Sequence, residues 1–227
     1  MGAPEREISF AVPTGNFGNV YAGYAAKRMG LPVKSLVAGS NRNDILARFF
    51  ATGKLEMAEV VPTLSPSMDI QVSSNLERLL FELLGRDGKA VAAFLNTFRK
   101  TGKAALDEKP YKAMLELFSG FRLDDKGTIR EIAAVHGENG MLIDPHTAVG
   151  LAAAKAKRDP AVPMVSIATA HPAKFPEAVL RATGEMPKLP PHLADLMKRP
   201  ERFETLPADL AAVKEFISER TAQRGAA

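Results

Sequence analysis

The 227-residue chain has no cysteine, so a disulfide framework and a thiolate zinc site are both excluded. That fits a reducing compartment. No apolar run approaches the ~20 residues needed to cross a bilayer. The opening stretch Met1–Glu7 is polar and has no apolar signal core, so the cytoplasm is the default location and no membrane is expected. A dense basic run is also missing. The 30 Lys and Arg and 26 Asp and Glu give a net charge of +4, but they alternate in sign, as in Glu77-Arg78 and Arg130-Glu131. A nucleic-acid face needs clustered cations with interleaved aromatics, and none is present. A small anionic ligand stays compatible with this balance. The four histidines show no His-x-x-x-His spacing, so no metal is assigned. There is no Gly-x-Ser-x-Gly elbow, no internal repeat and no low-complexity tract.

The chain is 46% hydrophobic and 25% charged, the balance of an ordinary globular protein. Its length is enough for a full core without staples. Ile8–Pro13 reads as a buried strand, broken by Thr14–Asn19. An alanine-rich helix from Val20 to Met29 follows and stops at Gly30 and Pro32, and Val33–Ala38 is the next strand. This is a βαβ unit, which implies parallel strands and a right-handed crossover.

The pattern then turns mostly helical. Asp44–Phe50 is a short helix, and residues 55–70, with two prolines, form a strand fragment and loop. Ser74 and Glu77 have capping-box spacing and open a helix that stops at Gly85. Helices are expected over Asp87–Lys100 and Pro110–Phe118, and Thr128 and Glu131 repeat the capping-box spacing. Asp144 caps a helix with Pro145 at its first position. Val162–Thr169 is a second clear interior strand. Residues 187–207 are proline-rich and charged, and Asp209–Arg220 is a terminal amphipathic helix. The first strand starts eight residues in with nothing before it to flank it. Further strands must therefore be hidden in the helical stretches, or the sheet continues in sequence outside this chain.

The sharpest local feature is Gly15-Asn16-Phe17-Gly18-Asn19 between a strand and a helix. Glycines let the backbone turn tightly and approach a ligand, and free N–H groups at a helix start favour a phosphate. No Gly-Lys-Ser/Thr follows, and the third glycine and later acid of a dinucleotide loop are missing. On local pattern alone, a phosphate cradle and a tight turn that binds nothing remain equally open. A cradle predicts that a β-branched side chain at Gly18 would block it. Asn75 and Arg78 lie one helical turn apart on a shared face, either as contacts for an anionic substrate or as a helix cap with a surface charge.

Val12-Pro13-Thr14-Gly15-Asn16-Phe17-Gly18-Asn19 and the helix after it resemble the cofactor-phosphate loop of threonine synthases, members of the tryptophan-synthase-like type II pyridoxal-phosphate enzymes. Five more stretches resemble that family's blocks in the same order: Asn41–Leu46, Ser65–Ile70, Ser73–Leu80, Asp144–Gly150 and Thr169–Phe175. The resemblance covers residues 8 to 180. It implies an α/β fold, part of a twisted, mostly parallel sheet flanked by helices, apparently truncated at the N-terminus. Residues 1–185 would be the C-terminal portion of the cofactor-binding domain, with 186–227 a proline-rich segment and a helix packing on it.

The reaction implied is O-phospho-L-homoserine plus water to L-threonine and phosphate, with pyridoxal phosphate as cofactor. By resemblance, Gly15, Asn16, Phe17, Gly18 and Asn19 hold the cofactor phosphate through their backbone, Thr169 sits by the ring nitrogen, and Asn75 and Arg78 meet the substrate. The family's Schiff-base lysine lies well before the phosphate loop, so no catalytic residue is assigned here. Lys27 is the sole lysine ahead of Lys34, Lys174 is in a block whose lysine the family does not use for that bond, and none has the family setting. The expectation is an incomplete chain with a missing N-terminal half and an open edge beside Ile8–Val12. The rival readings are another type II pyridoxal-phosphate lyase and a non-catalytic remnant that binds a phosphate compound or a partner chain.

Overall fold

The computed structural model describes residues 2–224. In chain order the elements are β1 (Ile8–Pro13), α1 (Gly18–Arg28), β2 (Val33–Ser40), α2 (Ile45–Thr52), β3 (Lys54–Glu56), α3 (Leu76–Leu83), α4 (Gly88–Thr101), β4 (Lys103–Ala105), α5 (Glu108–Leu115), β5 (Phe118–Arg122), α6 (Asp125–Asn139), α7 (Pro145–Lys157), β6 (Met164–Ser166), α8 (Pro176–Thr183) and α9 (Leu210–Arg224). Residues 1–187 form one compact unit and 188–227 a second.

The first unit is built on a four-stranded parallel sheet in the order β5-β2-β1-β6. Alternate side chains of a strand face opposite sides, and both sides of this sheet are apolar. Val12, Leu36 and Ala38 enter a core with Val20, Phe49, Phe50 and Leu80. Ala11 and Val37 face the other way, onto Ala153 and Ala154 of α7. Helices cover both faces, as parallel sheets require. Small residues let α7 lie close to the sheet. A Cβ on Gly150 would stand 2.8 Å from Pro13 Cδ, and one on Gly39 would stand 3.2 Å from Val149. A two-stranded antiparallel sheet, β3-β4, stands apart.

Strand β1 is an interior strand, paired with β2 on one side and β6 on the other. The expected open edge beside Ile8–Val12 is therefore filled from within the chain, and among the described residues β5 and β6 are the edges. Strand β5 begins at Phe118, where the expected helix Pro110–Phe118 would end, and runs on to Arg122. Helix α5 ends at Leu115, and Phe118 then turns inward beside Phe50. A Cβ on Gly120 would stand 2.6 Å from Ala47 Cα, so this strand lies flush against α2.

Neither expected capping box forms. Asp124 accepts from Gly127 N at 2.7 Å and opens α6 ahead of Thr128, which lies inside the helix. Helix α3 begins after Asn75 without a side-chain cap, because the Ser74 hydroxyl is turned elsewhere. Asp87 caps α4 through Lys89 N and Ala90 N. Asp144 caps α7, with Pro145 first in the helix, as the sequence predicts. Strand β6 is shorter than expected and lies at an edge. Its ladder to β1 runs from Pro163 O to Ile167 N, after which β1 turns away and pairs only with β2 through Thr14 N and Gly39 O.

In the second unit, Arg199 pairs with Asp195 at 2.6 Å. On α9, Arg220 pairs with Glu204 and covers the Phe216 ring at 4.8 Å.

Candidate functional site

The path β1→β2→β5 runs one way across the sheet, and β6 returns to the opposite side of β1. The strand order reverses at β1, and in open α/β sheets ligands enter the crevice beyond the carboxyl ends of the strands at such a point. Residues 14–19 leave that end of β1 and lead into α1. Their pivot is Phe17, with φ 67° and ψ 1°, a left-handed conformation that non-glycine residues seldom adopt. Burial of its ring holds it there. Phe17 is 1% exposed and lies 6.0 Å from Phe50 and 6.1 Å from Phe118. Burying a phenylalanine contributes about 1.5–3 kcal/mol, against about 1–2 kcal/mol for the left-handed residue. The Phe17 side chain is thus the loop's anchor in the core, and its contribution to any ligand is confined to its backbone.

Among the described residues, no acceptor meets the backbone N–H groups of residues 15–20, whereas Thr14 N reaches Gly39 O and Tyr21 N reaches Phe17 O. These N–H groups stand at the positive end of the α1 dipole. They line a concavity of about 230 Å³ formed by residues 12–19 and Asn75. The arrangement fits a phosphate.

The loop is gripped from outside by three consecutive residues. Ser73 Oγ donates to Gly15 O at 2.9 Å, and Asn75 donates to Asn16 O through both N (3.0 Å) and Nδ2 (2.9 Å). Ser74 Oγ reaches Asn16 Oδ1 at 3.2 Å, which is why it does not cap α3. Gly15 itself is crowded: a Cβ there would stand 2.7 Å from Ser67 O. At Gly18 the same atom would meet only Asn75 Nδ2, at an ordinary 3.5 Å. Crowding by the protein itself therefore falls on Gly15 and not on Gly18, where the demand expected from the sequence was that of a bound phosphate.

Ser67 lies in a turn whose end, Asp69, is held by a polar cluster that sequence reasoning missed. Asp69 Oδ1 accepts from Asn41 Nδ2 (2.7 Å), Asn43 Nδ2 (2.9 Å) and Thr63 Oγ1 (2.6 Å), and Oδ2 accepts from Thr63 N (2.8 Å). The stretches around Asn41 and Ser65, separate in sequence, are thereby fastened together beside the loop. A buried Asn-x-Asn at a strand end was the available signal.

Other predicted residues are placed less simply. Arg78 does not meet the loop. It lies over the Tyr21 ring at 5.8 Å and lines a separate concavity with Phe81 and Val91. Thr169 is exposed and lies three residues past the end of β6, in the connection leaving the strand next to β1, so it is not a strand terminus. The hydroxyl at the strand end belongs to Ser166, and its Oγ is buried without a hydrogen-bond partner among the described residues. Lys27 Nζ is tied to Val33 O at 2.6 Å, and Lys174 lies exposed over the Phe175 ring at 5.6 Å. Neither stands in the loop concavity.

Asp144, fully buried at the start of α7, accepts from His146 N and Nδ1, each at 2.8 Å, and from Thr147 N and Oγ1. Burial pushes its carboxyl up, but the bonds from His146 and Thr147 outweigh this and leave it below the usual carboxylate range. The His146 ring packs on Phe175 at 4.5 Å. Among the described residues no group of three or more His, Asp or Glu could hold a metal ion, and no helix is long and apolar enough to cross a membrane.

A mostly parallel sheet flanked by helices is the α/β architecture the sequence predicts. Comparison with known proteins makes the likeness specific. Residues 147–217 match the family model "Threonine synthase, C-terminal". The chain is 50% identical over 221 residues to threonine synthase of Pseudomonas aeruginosa, covering 96% of this chain and 47% of that protein. Among solved structures, it superposes on the pyridoxal-phosphate-bound threonine synthase of Brucella melitensis with a TM-score of 0.89 at 49% identity, covering 95% of this chain and 47% of that one. For yeast threonine synthase the TM-score is 0.83 at 35% identity, covering 96% and 48%. The chain is similar to the C-terminal portion of threonine synthases, and it spans about half the length of the relatives it matches.

Proposed function

We propose that this chain supplies the phosphate-binding half of a pyridoxal-phosphate-dependent threonine synthase site, which converts O-phospho-L-homoserine and water to L-threonine and phosphate. The observation that carries this is the loop of residues 15–20, whose N–H groups have no acceptor among the described residues and stand at a helix start beside the strand-order reversal. Gly15 to Asn19 donate those N–H groups to the cofactor phosphate. The Asn75 side chain, already fixed on Asn16 O, closes the concavity and presents its amide to the bound anion. Thr169 offers its hydroxyl to the ring nitrogen from the connection after β6. A neutral hydroxyl there does not favour a protonated ring as a carboxylate would. Bound pyridoxal phosphate supplies an electron sink for charge developing on the substrate carbon. Arg78 lies over the Tyr21 ring, outside the loop concavity, and its expected contact with the substrate would have to be made from there.

The lysine that holds the cofactor and moves protons belongs to a polypeptide stretch that precedes the loop in this reading. It is supplied by an N-terminal half joined to this chain or associated with it. The test joins the chain to the N-terminal half of the Pseudomonas aeruginosa relative and measures phosphate release from O-phospho-L-homoserine. Turnover with the joined protein and none with the 227-residue chain is the expected result. Tight, spectroscopically normal cofactor binding without any turnover would favour the remnant reading.

A further inference from the structure

A second concavity lies on the far side of the segment that grips the phosphate loop. It has a volume of about 230 Å³, below the ~300–1,000 Å³ of sites for drug-sized ligands and in the range of a small metabolite. Its floor is apolar: Ile45, Leu76 and Phe98 line it, each 2–3% exposed. Gln71 lines it too, 6% exposed, with Oε1 buried and unpartnered among the described residues. Leaving a buried amide oxygen without a donor costs free energy, and such an atom calls for a donor. At the rim stand two charges of opposite sign, Glu77 at the start of α3 and Arg99 near the end of α4. Among the described residues neither takes part in a salt bridge, although neighbouring exposed charges such as Arg86 and Glu82 pair at 3.0 Å.

An apolar floor, a buried acceptor, and one anion and one cation at the mouth together define a ligand. We infer that this concavity is an effector site for a small zwitterion with an apolar side chain, an aliphatic α-amino acid. Its carboxylate faces Arg99, its ammonium group faces Glu77, and its side chain covers Leu76 and Phe98, with the Gln71 amide able to present Oε1 by a side-chain rotation. The site is wired to the phosphate loop through two residues it shares with the grip. Ser73 and Ser74 line the concavity, and their hydroxyls are the groups bonded to Gly15 O and Asn16 Oδ1. A ligand that shifts residues 71–76 necessarily shifts the loop, and linkage makes the coupling reciprocal.

The probe is L-leucine, titrated calorimetrically into the 227-residue chain. Isopentylamine, which lacks the carboxylate, and 4-methylpentanoate, which lacks the ammonium group, serve as controls. Saturable leucine binding is expected, weakened about three- to tenfold by Arg99→Ala or Glu77→Gln, with both controls weaker than leucine. Both variants change exposed side chains, and circular dichroism verifies that they fold. No binding at 10 mM leucine, binding unaffected by both variants, or controls that bind as well as leucine would each overturn the assignment. The coupling is read separately, as the pyridoxal-phosphate affinity of the joined protein with and without saturating leucine. A change of about fivefold or more is expected, and an unchanged affinity would refute the wiring through Ser73 and Ser74. The coupling measurement rests on the cofactor reading, whereas the binding measurement does not, so the two failures are distinguishable.

Discussion

Replacing Gly15 by alanine separates packing from ligand contact in the phosphate loop. The added methyl would stand 2.7 Å from the Ser67 carbonyl oxygen and 3.3 Å from Met68 Cα. Both are backbone atoms of a turn closed by Met68 N to Ser65 O and Asp69 N to Pro66 O, so neither yields as a side-chain tip would. Overpacking of this kind costs about 1–3 kcal/mol. The strain is relieved where resistance is least, and a shift of the Gly15–Asn16 backbone would work against its bonds to Ser73 and Asn75. If relief misaligns one N–H donor to a phosphate, the loss is that of a charge-assisted bond, about 1.5–3 kcal/mol, or roughly tenfold or more in affinity. The control is Gly18→Ala, whose methyl meets Asn75 Nδ2 at an ordinary 3.5 Å. Urea unfolding of the chain and fluorescence titration of pyridoxal phosphate into the joined protein measure the two costs. The expected result is a destabilised Gly15→Ala with weakened cofactor and a Gly18→Ala close to the parent in both. Equal behaviour of the two variants would refute the assignment of steric demand to Gly15.

Three further outcomes are expected. Asp144→Asn removes a buried carboxylate whose folded pKa is depressed. Its stabilising contribution is full above the ordinary carboxylate value of 3.8 and is lost as pH falls through the lower folded value. The variant should therefore be less stable at pH 7 by about 1.5–3 kcal/mol and lose less on acidification, which urea midpoints from pH 7 to pH 3 would check. Thr169→Val in the joined protein should change the cofactor's absorbance and turnover while keeping the fold. If Ser166→Ala does so instead, the ring-nitrogen hydroxyl is the buried one at the end of β6. Borohydride reduction of the 227-residue chain with pyridoxal phosphate, followed by peptide mapping, should give scattered, substoichiometric lysine labelling, and one stoichiometric lysine would show that the chain holds its own.

The βαβ opening was legible because strand, glycine loop and helix follow one another without interruption, each with its own period. The Asp144-Pro145 helix start was legible for the same local reason. What escaped was set by tertiary contact. Phe118–Arg122 has too few residues to declare a strand, and Gly120 reads as a helix stop until Ala47 is seen against it. Ser74 has perfect capping spacing, yet its hydroxyl is taken by Asn16, 58 positions away in sequence. Thr169 looked like a strand end because the residues before it are apolar and β-branched, but strand length is decided by where β1 stops offering partners. Within the site, the glycine loop was readable as a candidate cradle. The Asp69 cluster behind it was not, since nothing local joins Asn41 to Asp69.

These findings change what half a site can do. With β1 exposed at an edge, a chain of this span would lose the strand that presents the loop, and aggregation would follow from an uncovered apolar ladder. Strand β1 is instead flanked on both sides, and the exposed edge next to it is the three-residue β6, short enough to offer few pairing groups. The contacts that shape the phosphate loop lie among the described residues: the Phe17 anchor against Phe50 and Phe118, the Ser73–Asn75 grip, and the Asp69 cluster in the turn that carries Ser67. These contacts set the geometry of the loop, whereas in the proposed function the proton-moving lysine comes from a different stretch of polypeptide. On that proposal, binding of a phosphate and chemistry upon it are separable, because one would depend on backbone groups fixed locally and the other on a side chain delivered from elsewhere.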